Sequence, residues 1–156
     1  MESIIEDTIE RSIKNPAPES VKISEVRLCY KANINRRRFV KLANADSLTY
    51  AEKLIAKYPD TKITVLNFAN GTKPHGGYPL SGHTQEDDIF RRTNIMSTLV
   101  DGLYPLGRSV IVSRDVTVFK DRKGKEITPF KVNIISAAAP VCPKQHVPKS
   151  LIIDAD

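Results

Sequence analysis

The chain has no tryptophan, only two cysteines, and few aromatic residues of any kind, 6% of 156 residues. Two cysteines cannot build a disulfide framework, and neither Cys29 nor Cys142 lies in a CxxC or other ligand cluster, so both read as reduced thiols. No apolar run approaches a membrane span, and acids at Glu2, Glu6, Asp7 and Glu10 interrupt the segment where a secretory signal would need an apolar centre. A cytoplasmic or nuclear protein without a membrane partner is therefore expected. His75, His83 and His146 have no companions at zinc spacing, and neither a metal nor a cofactor is expected. No internal repeat or low-complexity tract is visible.

What is present is an apolar fraction of 40%, ordinary for a single α/β domain with a real core. The net charge of +6 favours an anionic partner without choosing one. Its densest cluster, Arg36 to Arg38, reads as a solvated strand entrance or as a nucleic-acid contact.

Periodicity sets out the elements. Ile5, Ile9 and Ile13 predict an N-terminal helix with one apolar stripe, stopped by Asn15-Pro16-Ala17-Pro18. Residues 21–30 fit a strand or a short helix. A short strand is expected over 39–42 and a helix over 48–58 capped by Asp46 or Ser47. A central strand covered on both faces is expected over 62–67, so that these three elements make a βαβ unit. A helix over 84–103 follows, then a strand over 109–119 broken near 113–115. A turn around Lys123-Gly124-Lys125 leads to a last buried strand over 130–136 and a small-residue exit at Ala137 to Pro140.

The most informative stretch is VLNFANGTKPHGGYPLSGHTQEDDIFRR, Val65 to Arg92. An apolar run ends in a glycine loop, and three acids open the next helix. Glycines let backbone N–H groups approach a ligand, and a helix start offers unpaired N–H donors to an anion. A phosphate-bearing ligand fits that outline. Taken alone, Asn67 and Asn70 read as loop residues, and Thr84 with Asp87 reads as a capping box.

In order, LNFAN, PHGG, a seven-residue spacer and QED resemble the signature of the microbial poly(ADP-ribose) glycohydrolases, members of the macrodomain superfamily. Arg91-Arg92, SRDVTVFKD (113–121) and VNIISAAAP (132–140) extend the resemblance over about 37–140. It implies an α/β, macrodomain-like mixed sheet flanked by helices, with 37–156 as the ADP-ribose-binding domain and 1–36 as an N-terminal helical extension. The family continues past the equivalent of Pro140 with a second glycine-rich loop. Nothing in 141–156 matches that segment, so the fold is expected to be incomplete at its C-terminal end.

The implied activity is hydrolysis of ribose–ribose O-glycosidic bonds in ADP-ribose polymers. Implied partners are ADP-ribose, poly(ADP-ribose) and ADP-ribosylated macromolecules. The implied catalytic residues are Asp87, which protonates the departing ribose oxygen, and Glu86, which orients the ribose. Asn70, His75, Gly76, Gly77, Gln85 and Phe68 are the implied ligand-binding residues, and Asn67 is expected to tie the loop down. Of Arg91 and Arg92, one is expected to hold the acidic motif and the other to face solvent. Two positions depart from the family. His75 stands where it has a glycine, and Asp87 is one methylene shorter than its glutamate. These departures favour a rival reading, an ADP-ribose reader module that binds without cleaving. A basic nucleic-acid-binding protein using Arg36 to Arg38 is a further rival.

Overall fold

The computed structural model describes residues 2–24, 40–80 and 84–139. Cys29, the Arg36 to Arg38 cluster, His83 and the segment 141–156 lie outside the described residues. The elements in chain order are α1 (Glu2–Lys14), β1 (Ser20–Ile23), α2 (Ser47–Lys57), β2 (Thr64–Phe68), α3 (Gln85–Arg92), β3 (Val110–Lys120) and β4 (Glu126–Ala137). Two short 3-10 turns, Ile95–Thr98 and Asp101–Leu103, join α3 to β3.

The described strands form one mixed sheet in the order β1-β3-β4-β2. The pairs β1–β3 and β3–β4 are antiparallel and β4–β2 is parallel. β3 and β4 bury an aliphatic centre, Ile111, Val116, Val118, Val132 and Ile134, beside Ser113, Phe119, Lys120 and Ser136. The break expected near 113–115 is present as a register shift between Ser113 and Val116, with Asp115 at φ 51°. Leu48 and Ala51 from α2, Ile89 and Phe90 from α3, and Ile95, Leu99 and Leu106 from the connector complete the core.

Several sequence expectations are corrected. No strand forms over 40–42: Val40 and Leu42 are fully or almost fully exposed, and this stretch pairs with nothing in the sheet. The βαβ unit therefore lacks its first strand. β2 is an edge strand of the described sheet, and its pattern alternates, with Val65 and Asn67 inward and Leu66 and Phe68 outward. The helix expected to run to 103 stops at Arg92, because tertiary hydrogen bonds outcompete its continuation. Thr93 pairs with Val118, while the Asn94 N–H donates to Thr117 O and the Asn94 amide bridges Asn15 O and the Thr117 N–H.

The isoleucine stripe of α1 is only partly buried: Ile5 packs on the core and Ile9 is half-buried, but Ile13 is exposed, and the residues fully buried from this helix are Thr8 and Ser12. Their hydroxyls return to backbone carbonyls one turn back, at Ile4 and Thr8, and the Thr8 hydroxyl also reaches Arg91 O. Lys120 meets this polar face and donates to Ile4 O, the Thr8 hydroxyl and Asp7. The N-terminal segment also supplies a strand as well as a helix, since Ser20–Ile23 joins the sheet.

Candidate active site

β2 runs directly into the glycine loop, and α3 starts beside its exit. Residues whose side chains sit at the end of a strand and at the start of a helix thereby meet. Asn67, fully buried on the inner face of β2, donates from Nδ2 to Ser136 Oγ at 3.0 Å and to Glu86 Oε1 at 3.3 Å. The Asn70 N–H donates to the other oxygen, Glu86 Oε2, at 3.1 Å. Glu86 is therefore gripped through both carboxyl oxygens in a buried place. Burial pushes its proton affinity up, the two hydrogen bonds pull it down, and the charge of Asp87 pushes it up again, for a net rise above the ordinary 4.5.

Gly76 is what makes room for this carboxylate. Its φ of 53° suits glycine, and a Cβ there would stand 2.7 Å from Glu86 Oε2 and 3.4 Å from Asn70 Cβ. Gly71 is placed by the same need for close approach, since its Cβ would come within 3.1 Å of Ala138 in the small-residue exit of β4.

His75 engages its ring within the fold. Its backbone is left-handed, at φ 62°, and its ring turns inward, edge-on to Phe90 with centroids 5.4 Å apart. Nε2 lies 3.1 Å from Met96 O, which requires that nitrogen to carry the proton and donate. Burial depresses its pKa against those backbone hydrogen bonds, so the neutral ring is the anchoring form. The side chain that departs from the family thus pins the loop to the core.

Asn70 spends its side-chain oxygen on the turn, accepting from the Thr72 N–H, the Thr72 hydroxyl and the Lys73 N–H. Its tie to the site is the backbone N–H to Glu86. Gly77 lies exposed in the loop, where its carbonyl accepts from the Leu80 N–H. Phe68 is 67% exposed on the outer side of the sheet edge. Gln85, expected as a ligand contact, uses both ends of its amide on β2: the oxygen accepts from the Phe68 N–H at 3.0 Å and the nitrogen donates to Leu66 O at 2.8 Å. It pairs with the outer edge of β2 as a neighbouring strand would.

Asp87 forms the capping box outright. Its Oδ2 accepts from the Thr84 N–H at 2.8 Å and the Thr84 hydroxyl at 2.7 Å, and its own N–H donates to Thr84 Oγ1. The side chain is buried, with the residue 1% exposed. Both arginines of the next turn meet Asp88: Arg91 reaches Oδ1, while the buried Arg92 binds Oδ2, Asp46 and the Lys120 carbonyl. Asn67, read from the sequence as a loop tie, is instead a direct partner of the Glu86 carboxyl. Tyr104, whose hydroxyl is buried near the charge of Glu86, carries no local signal in the sequence.

A cleft of about 860 Å³ lies between the start of α2, α3 and the β3–β4 turn. Asp46, Glu52, Lys53, Asp88 and Arg91 line it, and it does not include Asn70, Gly76 or Glu86.

A mixed sheet with helices, a strand running into a glycine loop, and an acidic helix start below that loop define a macrodomain-like protein. The microbial-type PARG catalytic domain family matches residues 5–121. The chain belongs to that family. The poly(ADP-ribose) glycohydrolase of Thermomonospora curvata superposes with a TM-score of 0.72 at 18% identity, over 88% of this chain and 63% of that one, a likeness of fold. A mutant of the same enzyme aligns at 26% identity, TM-score 0.56, over 61% of this chain and 40% of that one. The Deinococcus radiodurans poly(ADP-ribose) glycohydrolase in complex with ADP-ribose aligns at 27% identity, TM-score 0.56, over 64% of this chain and 44% of that one. The chain thus spans less than two thirds of the length of each of these relatives. No curated protein matches the sequence.

Proposed function

We propose that this protein hydrolyses ribose–ribose O-glycosidic bonds of poly(ADP-ribose), with Glu86 as the general acid. Membership of the family supports the reaction class, and the observation that carries it to these residues is the Glu86 carboxyl, buried beside Gly76 and oriented by Asn67 and the Asn70 N–H. An alkoxide is a poor leaving group, so the departing ribose oxygen must receive a proton as the glycosidic bond breaks. Glu86 supplies that proton, the bond electrons leave with the oxygen, and the anomeric carbon becomes oxocarbenium-like. Water then adds to that carbon and returns a proton to the Glu86 carboxylate. Raised proton affinity suits this role, because more of the carboxyl is protonated as neutrality is approached.

Asp87, the acid implied by the family resemblance, has its Oδ2 committed to Thr84, and its part is electrostatic: its charge raises the proton affinity of Glu86. The test is ADP-ribose release from poly(ADP-ribose) by the wild type, Glu86→Gln and Asp87→Asn at matched ligand occupancy. Glu86→Gln is expected to lose about 100-fold or more, the usual weight of a positioned acid. Asp87→Asn keeps an acceptor for the Thr84 N–H and most of the rate, while its alkaline limb moves to lower pH. The reverse order of losses would make Asp87 the acid. Binding of ADP-ribose without any release by the wild type would make the protein a reader.

A further inference from the structure

Three buried side-chain atoms have no hydrogen-bond partner among the described residues: Asn67 Oδ1, the Tyr78 hydroxyl and the Tyr104 hydroxyl. Two of these belong to the surroundings of Glu86. Asn67 does so through its Nδ2 bond to that carboxylate. Tyr104 does so because burial first, and then the charge of Glu86, push its hydroxyl up to about 12, so that it stays a proton-bearing donor. The backbone holds Tyr104 beside the loop: its N–H donates to Asp101 O, and two residues later the Leu106 N–H donates to Gly71 O at 2.8 Å, one residue beyond Asn70.

A buried hydroxyl without a partner lowers stability, and phenylalanine would fill the same space without that penalty. For the fold alone Tyr104 is the inferior choice. We propose that the Tyr104 hydroxyl is a substrate contact, donating a hydrogen bond to a hydroxyl of the distal ribose of ADP-ribose beside Glu86. A phosphate there would be opposed by the Glu86 charge, whereas a ribose hydroxyl is neutral. A hydroxyl also both accepts and donates, and the two unpartnered groups beside Glu86 are one donor, Tyr104, and one acceptor, Asn67 Oδ1. This assignment rests on the reading of the site as one for ADP-ribose.

The experiment compares the wild-type 156-residue chain with Tyr104→Phe by calorimetry against ADP-ribose and against ADP, which lacks the distal ribose, together with thermal melting. The expected result is about tenfold weaker ADP-ribose binding, the usual weight of one hydrogen bond. ADP binding is expected to be unchanged and the melting temperature equal or higher. Unchanged ADP-ribose affinity overturns the assignment while leaving the site reading intact. Equal weakening toward ADP overturns it too, since the hydroxyl would then act on the nucleotide end or on the fold, and a fall in melting temperature with loss of both ligands gives it a structural role. If the wild type binds neither ligand, or binds ADP-ribose no more tightly than ADP, the ribose site itself is wrong and Tyr104 falls with it.

Discussion

At the scale of single residues, the site turns on one glycine. Gly76 combines a left-handed backbone with a position that would bring a Cβ to 2.7 Å from Glu86 Oε2. Gly76→Ala is expected to cost at least about 1 kcal/mol from the backbone conformation alone. The displaced carboxylate should reduce ADP-ribose release by more than that stability loss explains, which denaturant melts and turnover of the folded variant separate. Glu86 should also set the pH dependence. A general acid works only while protonated, so release is expected to fall as pH rises through the raised Glu86 pKa, with an inflection above the ordinary 4.5. A residual rate in Glu86→Gln with the same inflection would place the titrating group elsewhere.

Within this loop, what was legible from the sequence and what was not divide along a physical line. Gly76 and the QED motif announce themselves because their residue types are required locally, by a left-handed turn and by a helix start. The inward turn of His75 and the Tyr104 hydroxyl depend on Phe90, Met96 and Glu86, which are remote from them in sequence, and no local pattern encodes such meetings.

At the scale of elements, the join between β2 and α3 places Glu86, and Gln85 makes that join. Its amide closes two backbone groups on the outer edge of β2 and so fixes the start of α3 against the strand end. Gln85→Leu removes both bonds and is expected to destabilise by about 1–2 kcal/mol in a urea melt. Release should fall as well, because Glu86 follows directly in the chain, and a variant of unchanged stability would show that the join is held elsewhere. The strands β3 and β4 could be read from the sequence because long aliphatic runs admit few alternatives. The end of α3 could not, since it is decided by Thr93 and Asn94 bonding to β3 and to Asn15. Nor could the buried face of α1. A search for apolar periodicity finds Ile5, Ile9 and Ile13, of which Ile5 reaches the core, while the most deeply buried residues are Thr8 and Ser12, whose hydroxyls are satisfied by carbonyls and by Lys120.

At the scale of the whole molecule, a buried arginine ties three elements. Arg92 reaches Asp46 at the start of α2, Asp88 in α3 and the Lys120 carbonyl of β3. Arg92→Met leaves Asp46 without its cation and Asp88 with Arg91 alone, and a loss of about 3–5 kcal/mol is expected, the range found when one partner of a buried ion pair is removed. The same tie contributes to the acid sensitivity of the fold. Burial works to raise the Asp46 pKa, but hydrogen bonds from Thr49 and Arg92 and the charge of Arg92 hold it at about 2, below the ordinary 3.8. Its stabilisation is therefore complete above the ordinary value and is lost as pH falls toward about 2. Urea midpoints taken down through that window should fall more steeply for the wild type than for Asp46→Asn.

The fastening of α1 by Lys120 also has a consequence for biosynthesis. The bonds from Lys120 to Ile4 and Thr8 span 116 and 112 residues. Ribosomes add roughly 5–20 residues per second, so the first helix is made on the order of ten seconds before its lysine. A helix of 13 residues is marginal by itself in water. During that interval the helix has only its earlier partners, such as the Arg91 carbonyl that Thr8 reaches, and its lysine clasp closes only once β3 has emerged.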